Sequence, residues 1–137
     1  MKHFVIEYPS TRSLVFSRPD RSEEDALMLS EHYAEPILEK TLELLVEDDP
    51  EWARLPTLHA FWQYGQGTYD IRGEPAPFRV ELRLLSALQA LLDSGWKTEW
   101  PNVRGHPPIP FREALAALLE FLKRAHDDQA LVTLSYL

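Results

Sequence analysis

The sequence contains no cysteine among its 137 residues, and it contains only five glycines. Disulfide bonds, cysteine-ligated zinc and covalent cysteine chemistry are therefore excluded. A Gly-x-Ser-x-Gly nucleophile elbow and a glycine-rich phosphate-binding loop are also missing, since Gly65-x-Gly67 lacks the third glycine of a dinucleotide-binding motif. These absences remove several common enzyme classes.

Long apolar runs are missing as well. The first apolar run, residues 4–6, ends at Glu7, whereas a secretory signal peptide needs an apolar core of about 7 to 15 residues. The stretches 84–92 and 114–122 are interrupted by polar residues and are far shorter than the roughly 20 residues that cross a bilayer. We therefore expect a cytoplasmic protein without a membrane partner.

A chain that is 45% apolar and of this length is the size of one globular domain, which we expect to span residues 1–137.

The two ends of the chain carry the strand patterns. Residues 3–8 and 13–17 are β-branched and aromatic runs on either side of the turn-forming cluster 9–12, which predicts a β-hairpin. Residues 131–137 form another such run. Because a terminal strand is ordered only when it docks into a sheet, we expect it beside the N-terminal strands.

Helical patterns fill the interior. Ser22 and Asp25 resemble a capping box, and the apolar spacing that follows predicts either one kinked helix over 22–47 or two helices that meet at Glu35-Pro36. Leucines at helical spacing over 78–94 end at Gly95, a suitable left-handed cap, although residues 78–83 also alternate like a strand.

Other segments complete the expected fold. An amphipathic helix is predicted over about 110–126, and Asp49-Pro50 is typical of a further helix start. Residues 57–72 fit either a short helix followed by a strand or a hairpin, and 96–100 alternate like a strand. The expected class is α+β, with a small antiparallel or mixed sheet from both chain ends packed against three to four helices.

Negative charge is concentrated in one segment. Residues 22–51 hold eleven acids and one base, whereas the rest of the chain holds eleven acids and thirteen bases. Five of these acids step by four residues and so neighbour one another on a helix: Glu31, Glu35, Glu39, Glu43 and Glu47. Each like-charge pair of this kind costs about 0.2 to 0.5 kcal/mol. Such a run is usually a solvated face, and the alternative is a docking surface for a basic protein.

Nucleic acid is not an expected partner. Binding to phosphates needs a basic stripe, and the arginines form only two loose clusters. The members of these clusters are Arg12, Arg18 and Arg21, and Arg72, Arg79 and Arg83.

Aromatic side chains gather in the middle of the chain. Trp62, Tyr64 and Tyr69 flank the Gly65-Gln66-Gly67 turn. Aromatics at such positions either fill the core or anchor an interface, and we include these three among the expected partner-binding residues.

The histidines do not form a metal site by spacing. His3, His32, His59, His106 and His126 are scattered, and no two have the i, i+4 spacing of paired ligands on one helix. We assign no metal, cofactor or catalytic residue, and we do not expect an enzyme.

The leading hypothesis is an acidic protein-interaction module that binds a basic protein through the five glutamates. The chain resembles small inhibitor or immunity proteins that neutralise basic nuclease toxins. The resemblance is one of class, in size, acidity, aromatic content and a helix that leads into a terminal strand, and it involves no shared motif. One alternative is a small enzyme or ligand-binding domain with an aromatic pocket of Phe61, Trp62, Tyr69 and Trp96. Another is an obligate homodimer with a self-complementary aromatic surface.

Overall fold

The computed structural model describes residues 2–4, 12–48, 77–96 and 111–136. Within these ranges, three α-helices accompany five strands, which confirms the α+β class. The strands are β1 (Lys2–Phe4), β2 (Ser13–Ser17), β3 (Leu27–Ser30), β4 (Phe78–Arg79) and β5 (Leu131–Tyr136). The helices are α1 (Glu31–Asp48), α2 (Leu82–Asp93) and α3 (Phe111–Asp127), and a short 3₁₀ helix spans Glu23–Asp25.

The strands form one mixed sheet in the order β1-β3-β2-β5-β4. β1 runs parallel to β3, and the other neighbouring pairs are antiparallel. β5 lies between β2 and β4, and its register with β2 runs from Leu14 opposite Tyr136 to Ser17 opposite Thr133. The prediction that the C-terminal strand docks beside an N-terminal strand is therefore confirmed.

The predicted hairpin between residues 3–8 and 13–17 is wrong. β3 lies between β1 and β2, because Met28 is paired with His3 on one side and with Val15 on the other. The N-terminal strands are thus second neighbours, joined through a strand that the sequence analysis placed in a helix.

The helix predicted to begin at Ser22 begins instead at Glu31. Ser22 makes no capping hydrogen bond through its side chain, and the acids that follow form only the 3₁₀ turn. The next residues alternate: Leu27 and Leu29 are fully buried, whereas Met28 between them is half-buried. This period of two follows from pairing in the sheet, and the gain from burying both leucines outweighs the local helix signal.

Pro36 lies inside α1 and does not divide it. Of the two predicted arrangements, a meeting of two helices at this position is therefore wrong. Proline removes one helical hydrogen bond, and the buried residues that follow it hold the helix against the core. Ile37 and Leu38 are fully buried, and the Thr41 hydroxyl donates to the Ile37 carbonyl at 2.6 Å.

One face of the sheet carries the core. Leu14 is opposite Leu29, and Phe16 is opposite both Leu27 and Leu134, so these five buried side chains share that face. α1 and α3 pack against these strands, and α2 packs against both helices. The helices α2 and α3, which the spacing of apolar residues predicted, are confirmed. α2 begins after the short strand β4, as the alternation over 78–83 indicated.

Several predictions fall on residues that the structure leaves undescribed. They are the helix start at residues 49–50, the two alternatives for 57–72, and the strand over 96–100 beyond Trp96. In the part of the chain that the structure describes, no helix combines the length and the hydropathy needed to cross a membrane.

α2 and α3 end in the same backbone motif. After α2, Gly95 has φ 70°, its N–H donates to the Leu92 carbonyl at 3.3 Å, and the Trp96 N–H donates to the Leu91 carbonyl at 3.4 Å. This pair of bonds is a Schellman motif, which confirms the predicted cap.

The end of α3 repeats this motif without glycine. Gln129 has φ 54° and donates to the His126 carbonyl at 3.0 Å, and Ala130 donates to the Ala125 carbonyl at 2.8 Å. A residue with a Cβ atom in this conformation costs about 1 to 2 kcal/mol, so α3 ends at a strained position.

Substitution of Gln129 by glycine should raise the free energy of unfolding by up to about 1 kcal/mol. Glycine removes that conformational cost while adding about 0.5 to 1 kcal/mol of unfolded-chain entropy. Gly95→Ala should lower the free energy of unfolding by about 1 kcal/mol for the converse reason. Urea unfolding followed by circular dichroism measures both effects. Gln129→Ala is the matched control: it keeps a Cβ, so a gain equal to that of Gln129→Gly would contradict this account.

Candidate functional site

The five glutamates predicted to bind a partner all lie on α1. A step of four residues turns a helix by about 400°, so each glutamate is displaced by about 40° from the one before it. We call these five residues the acidic row. Its members wind from the edge of the core towards solvent: Glu31 and Glu35 are half-buried, and Glu39, Glu43 and Glu47 are exposed. These last three form what we call the acidic patch.

Little positive charge balances the acidic row. Among the described residues, its one ion pair joins the Lys40 Nζ to the Glu43 Oε2 at 3.6 Å. The last turn of α1 contains no base, although it contains Glu47. Negative charge at the C-terminal end of a helix opposes the helix dipole. The row therefore opposes helix stability in two ways, through its spacing and through its position.

Glu35 shows the repulsion most directly. Partial burial raises the pKa of this carboxyl above its ordinary value, and the neighbouring Glu31 and Glu39 raise it further. Each of these effects disfavours the charged carboxylate. A cation placed against this part of α1 would relieve the same repulsion.

An apolar side chain borders the acidic patch. Val46 is 41% exposed and follows Glu43 by three residues, a spacing that makes the two neighbours on a helix surface. Exposed large hydrophobic side chains are few among the described residues, the others being Leu82 and Leu131. The patch therefore combines three carboxylates with one apolar contact.

The predicted aromatic anchors Trp62, Tyr64 and Tyr69 lie outside the described residues, and their role stays a prediction. The same holds for Phe61 of the alternative aromatic pocket. Trp96, the remaining member of that pocket, is half-buried, and its ring packs edge-on against Phe111 with the ring centres 5.5 Å apart.

Phe111 continues an aromatic row across the core. Its ring centre is 5.7 Å from that of Tyr33, which in turn lies 6.5 Å from that of Phe4 on β1. Burial raises the pKa of the Tyr33 hydroxyl, and Glu113 contributes to the increase. This row joins β1, α1 and α3, so Trp96 has a packing role at the end of α2.

A second candidate site is a cleft of about 240 Å³ between the sheet and α3. Its charged lining residues come from both ends of the chain. The basic ones are Lys2, Arg18, Arg21 and Arg124, and the acidic ones are Glu24, Asp25 and Glu120. Its apolar lining residues are Ala26, Leu27, Ala117 and Phe121.

Arg18 lines one side of this cleft and binds two carboxylates there. Its side chain is only 6% exposed, its Nε and Nη2 donate to the two carboxylate oxygens of Asp20 at 3.0 and 2.7 Å, and its Nη1 donates to the Asp128 Oδ2 at 2.8 Å. Arg18 directly follows β2, and Asp128 directly follows α3. The hydrogen bonds from Arg18 hold the pKa of Asp20 below its usual value. A buried cation thus joins two segments that are 110 residues apart.

The sequence alone does not indicate this cleft. Arg18 and Arg21 belong there to a loose basic cluster, and nothing in the sequence near them indicates Lys2 or Arg124 as neighbours. Only the register of the sheet and the packing of α3 bring these side chains together.

The part of the chain described by the structure contains no group of three or more His, Asp or Glu side chains that could hold a metal ion. His3 is exposed, and His32 and His126 are half-buried. His59 and His106 lie outside the described ranges.

Glu35→Gln should raise the free energy of unfolding at neutral pH, by about 0.2 to 0.5 kcal/mol for each of the two like-charge pairs that it relieves. The pKa of Glu35 is higher in the folded than in the unfolded chain, so its penalty is present above the folded pKa and disappears as the pH falls through that value. The gain should therefore shrink towards about pH 4. Urea unfolding at both pH values measures this difference.

Glu81→Gln is the matched control for this substitution. Glu81 lies at the N-cap of α2, where negative charge favours the helix dipole, so its loss should leave stability unchanged or slightly lower. A Glu35→Gln variant that is less stable than wild type at neutral pH, or a gain that does not depend on pH, would contradict the repulsion on α1.

No protein-family model, curated protein or solved structure matches the chain. The function must therefore be inferred from the residues that the structure describes. Two surfaces stand out on this basis, the acidic patch of α1 and the cleft beside α3.

Proposed function

We propose that the protein is a cytoplasmic protein-interaction module that docks a basic protein on the acidic row of α1, as an inhibitor or immunity protein would. The observation that carries this proposal is the acidic patch of three exposed carboxylates, Glu39, Glu43 and Glu47. Among the described residues, its one ion pair joins the Glu43 Oε2 to the Lys40 Nζ at 3.6 Å.

The cost of the row to the free protein supports this proposal. Like charges four residues apart oppose the helix, and the pKa of Glu35 is raised by burial and by its two neighbours. A helix face that serves only solubility needs no more than scattered charges of both signs. In a row of one sign at this spacing, the repulsion between the carboxylates is relieved when a partner brings the opposite charge.

The chemistry of the patch indicates the kind of partner. A single-sign surface repels nucleic-acid phosphates and attracts lysine and arginine side chains, and such steering raises association rates by roughly 10 to 1,000-fold. Val46 beside the patch supplies an apolar contact that a lysine stem or an aliphatic side chain of the partner covers.

The acidic patch is too small to form the whole interface. From Glu39 to Glu47 the helix rises by about 12 Å, whereas a stable complex buries about 800 Å² on each partner. We propose that Trp62, Tyr64 and Tyr69 supply further contacts, because interface hot spots are rich in tyrosine and tryptophan.

A tagged pull-down from the source cell's lysate tests this function, with washes at low and then high salt. Wild type should retain a basic protein in stoichiometric amount and release it at high salt, because screening weakens interactions between exposed charges. The Glu39→Lys/Glu43→Lys double variant should associate with that protein at least about tenfold more slowly, measured by stopped-flow fluorescence.

The matched control is the Glu81→Lys/Asp93→Lys double variant, which makes the same change in net charge at the two ends of α2. Both of its positions are exposed, and it should associate like wild type. Equal association by both variants, or retention of no basic protein, would reject the docking surface. A dimeric native mass without a bound partner would favour the homodimer instead.

A further inference from the structure

The cleft beside α3 carries exposed cations from three different segments. Lys2 lies on β1, Arg21 lies between β2 and the 3₁₀ helix, and Arg124 lies on α3. Lys2 Nζ and Arg124 Nη2 both contact the Glu120 carboxylate, at 3.3 and 2.7 Å. One carboxylate thus serves two cations, which leaves one positive charge in excess.

Arg21 adds hydrogen-bond donors to this side. Its Nη2 lies 3.5 Å from the Asp128 Oδ2, an oxygen that already accepts from Arg18 at 2.8 Å. The Arg21 side chain is 50% exposed, and a guanidinium has five N–H donors, so most of them remain for a ligand. A planar carboxylate is one of the groups that this guanidinium can bind through two parallel hydrogen bonds.

Negative charge lines the same cleft on a different element. Glu24 and Asp25 belong to the 3₁₀ helix, and both are exposed. Among the described residues, the Asp25 carboxylate has no hydrogen bond or ion pair. A simple anion would be repelled here, whereas a ligand that also carries an ammonium group would be attracted.

The remaining residues that line the cleft are apolar. Ala26, Leu27 and Ala117 are buried, and Phe121 on α3 is half-buried. The cleft volume of about 240 Å³ is slightly smaller than the roughly 300 to 1,000 Å³ of pockets that bind drug-sized ligands. That volume suits a small ligand of roughly ten non-hydrogen atoms.

From this combination we infer that the cleft binds a free α-amino acid with an apolar side chain. The carboxylate lies with Arg21 and Arg124, the ammonium group lies with Asp25, and the side chain lies on the apolar lining. This site is separate from the acidic patch, so it goes beyond the proposed docking function.

Isothermal titration calorimetry with three matched probes tests this inference. The probes are L-leucine, 4-methylpentanoate, which lacks the ammonium group, and 3-methylbutylamine, which lacks the carboxylate. L-leucine should bind within titrations to about 10 mM, and each analogue should bind about tenfold or more weakly, because each loses one charge-assisted contact. In ¹⁵N-labelled protein, L-leucine should shift the amide signals of Ala26, Leu27 and Ala117.

Variants on the two sides of the cleft separate the two contacts. Arg21→Gln/Arg124→Gln should weaken L-leucine binding by about tenfold or more, while the matched control Lys123→Gln, next along α3 and outside the cleft, should bind like wild type. Asp25→Asn should weaken L-leucine binding but should not weaken 4-methylpentanoate binding, because the amide no longer repels the carboxylate of that probe. Circular dichroism checks that each variant is folded.

Three results would overturn the inference: absence of L-leucine binding, equal binding of 4-methylpentanoate, or binding that Arg21→Gln/Arg124→Gln and Asp25→Asn both leave intact. The Glu39→Lys/Glu43→Lys variant should bind L-leucine like wild type. Loss of partner docking and loss of amino-acid binding are therefore distinguishable.

Discussion

The antiparallel pairing of β5 with β2 joins the two ends of the described chain, and the rest of the structure depends on it. β2 is the central strand, with Leu14 and Phe16 almost completely buried beneath the helices. β5 also pairs with β4, the short strand that leads into α2. At one end of this pairing, the buried Arg18 guanidinium holds Asp128 across 110 residues of sequence. The cleft exists only because this pairing brings the segment after β2 next to α3.

The fold carries two charged surfaces of different character, the acidic row on α1 and the cleft beside α3. On α1 the core takes one side of the helix, and the unbalanced acids wind onto the other, where Glu35 is disfavoured by burial and by its neighbours. Around the cleft, acids and bases alternate and share contacts, as Glu120 does between Lys2 and Arg124. The first arrangement favours a cationic protein surface, and the second favours a small ligand with both charges.

Local patterns predicted the parts of the fold that depend on local periodicity. The leucine spacing of α2 and α3 and the cap at Gly95 are confirmed, because helical burial repeats within a few residues. β3 was missed because its alternation spans only four residues, after acids that favour a helix start. The spacing of the acidic row was visible in the sequence. The partial burial of Glu35 was not, because it depends on which side of α1 faces the core. The cleft could not be predicted, since Lys2 and Glu120 are 118 residues apart.

The central claim is that the carboxylates of α1 repel one another in the free protein and so remain available to a basic partner. Urea unfolding of wild type and Glu39→Lys/Glu43→Lys, at about 0.02 M and about 0.5 M NaCl, tests it most directly, because salt screens exposed charges over a few ångströms at the higher concentration. Wild type should gain stability with salt, and the variant should gain less. An equal gain in both proteins, or a loss in wild type, would contradict the account.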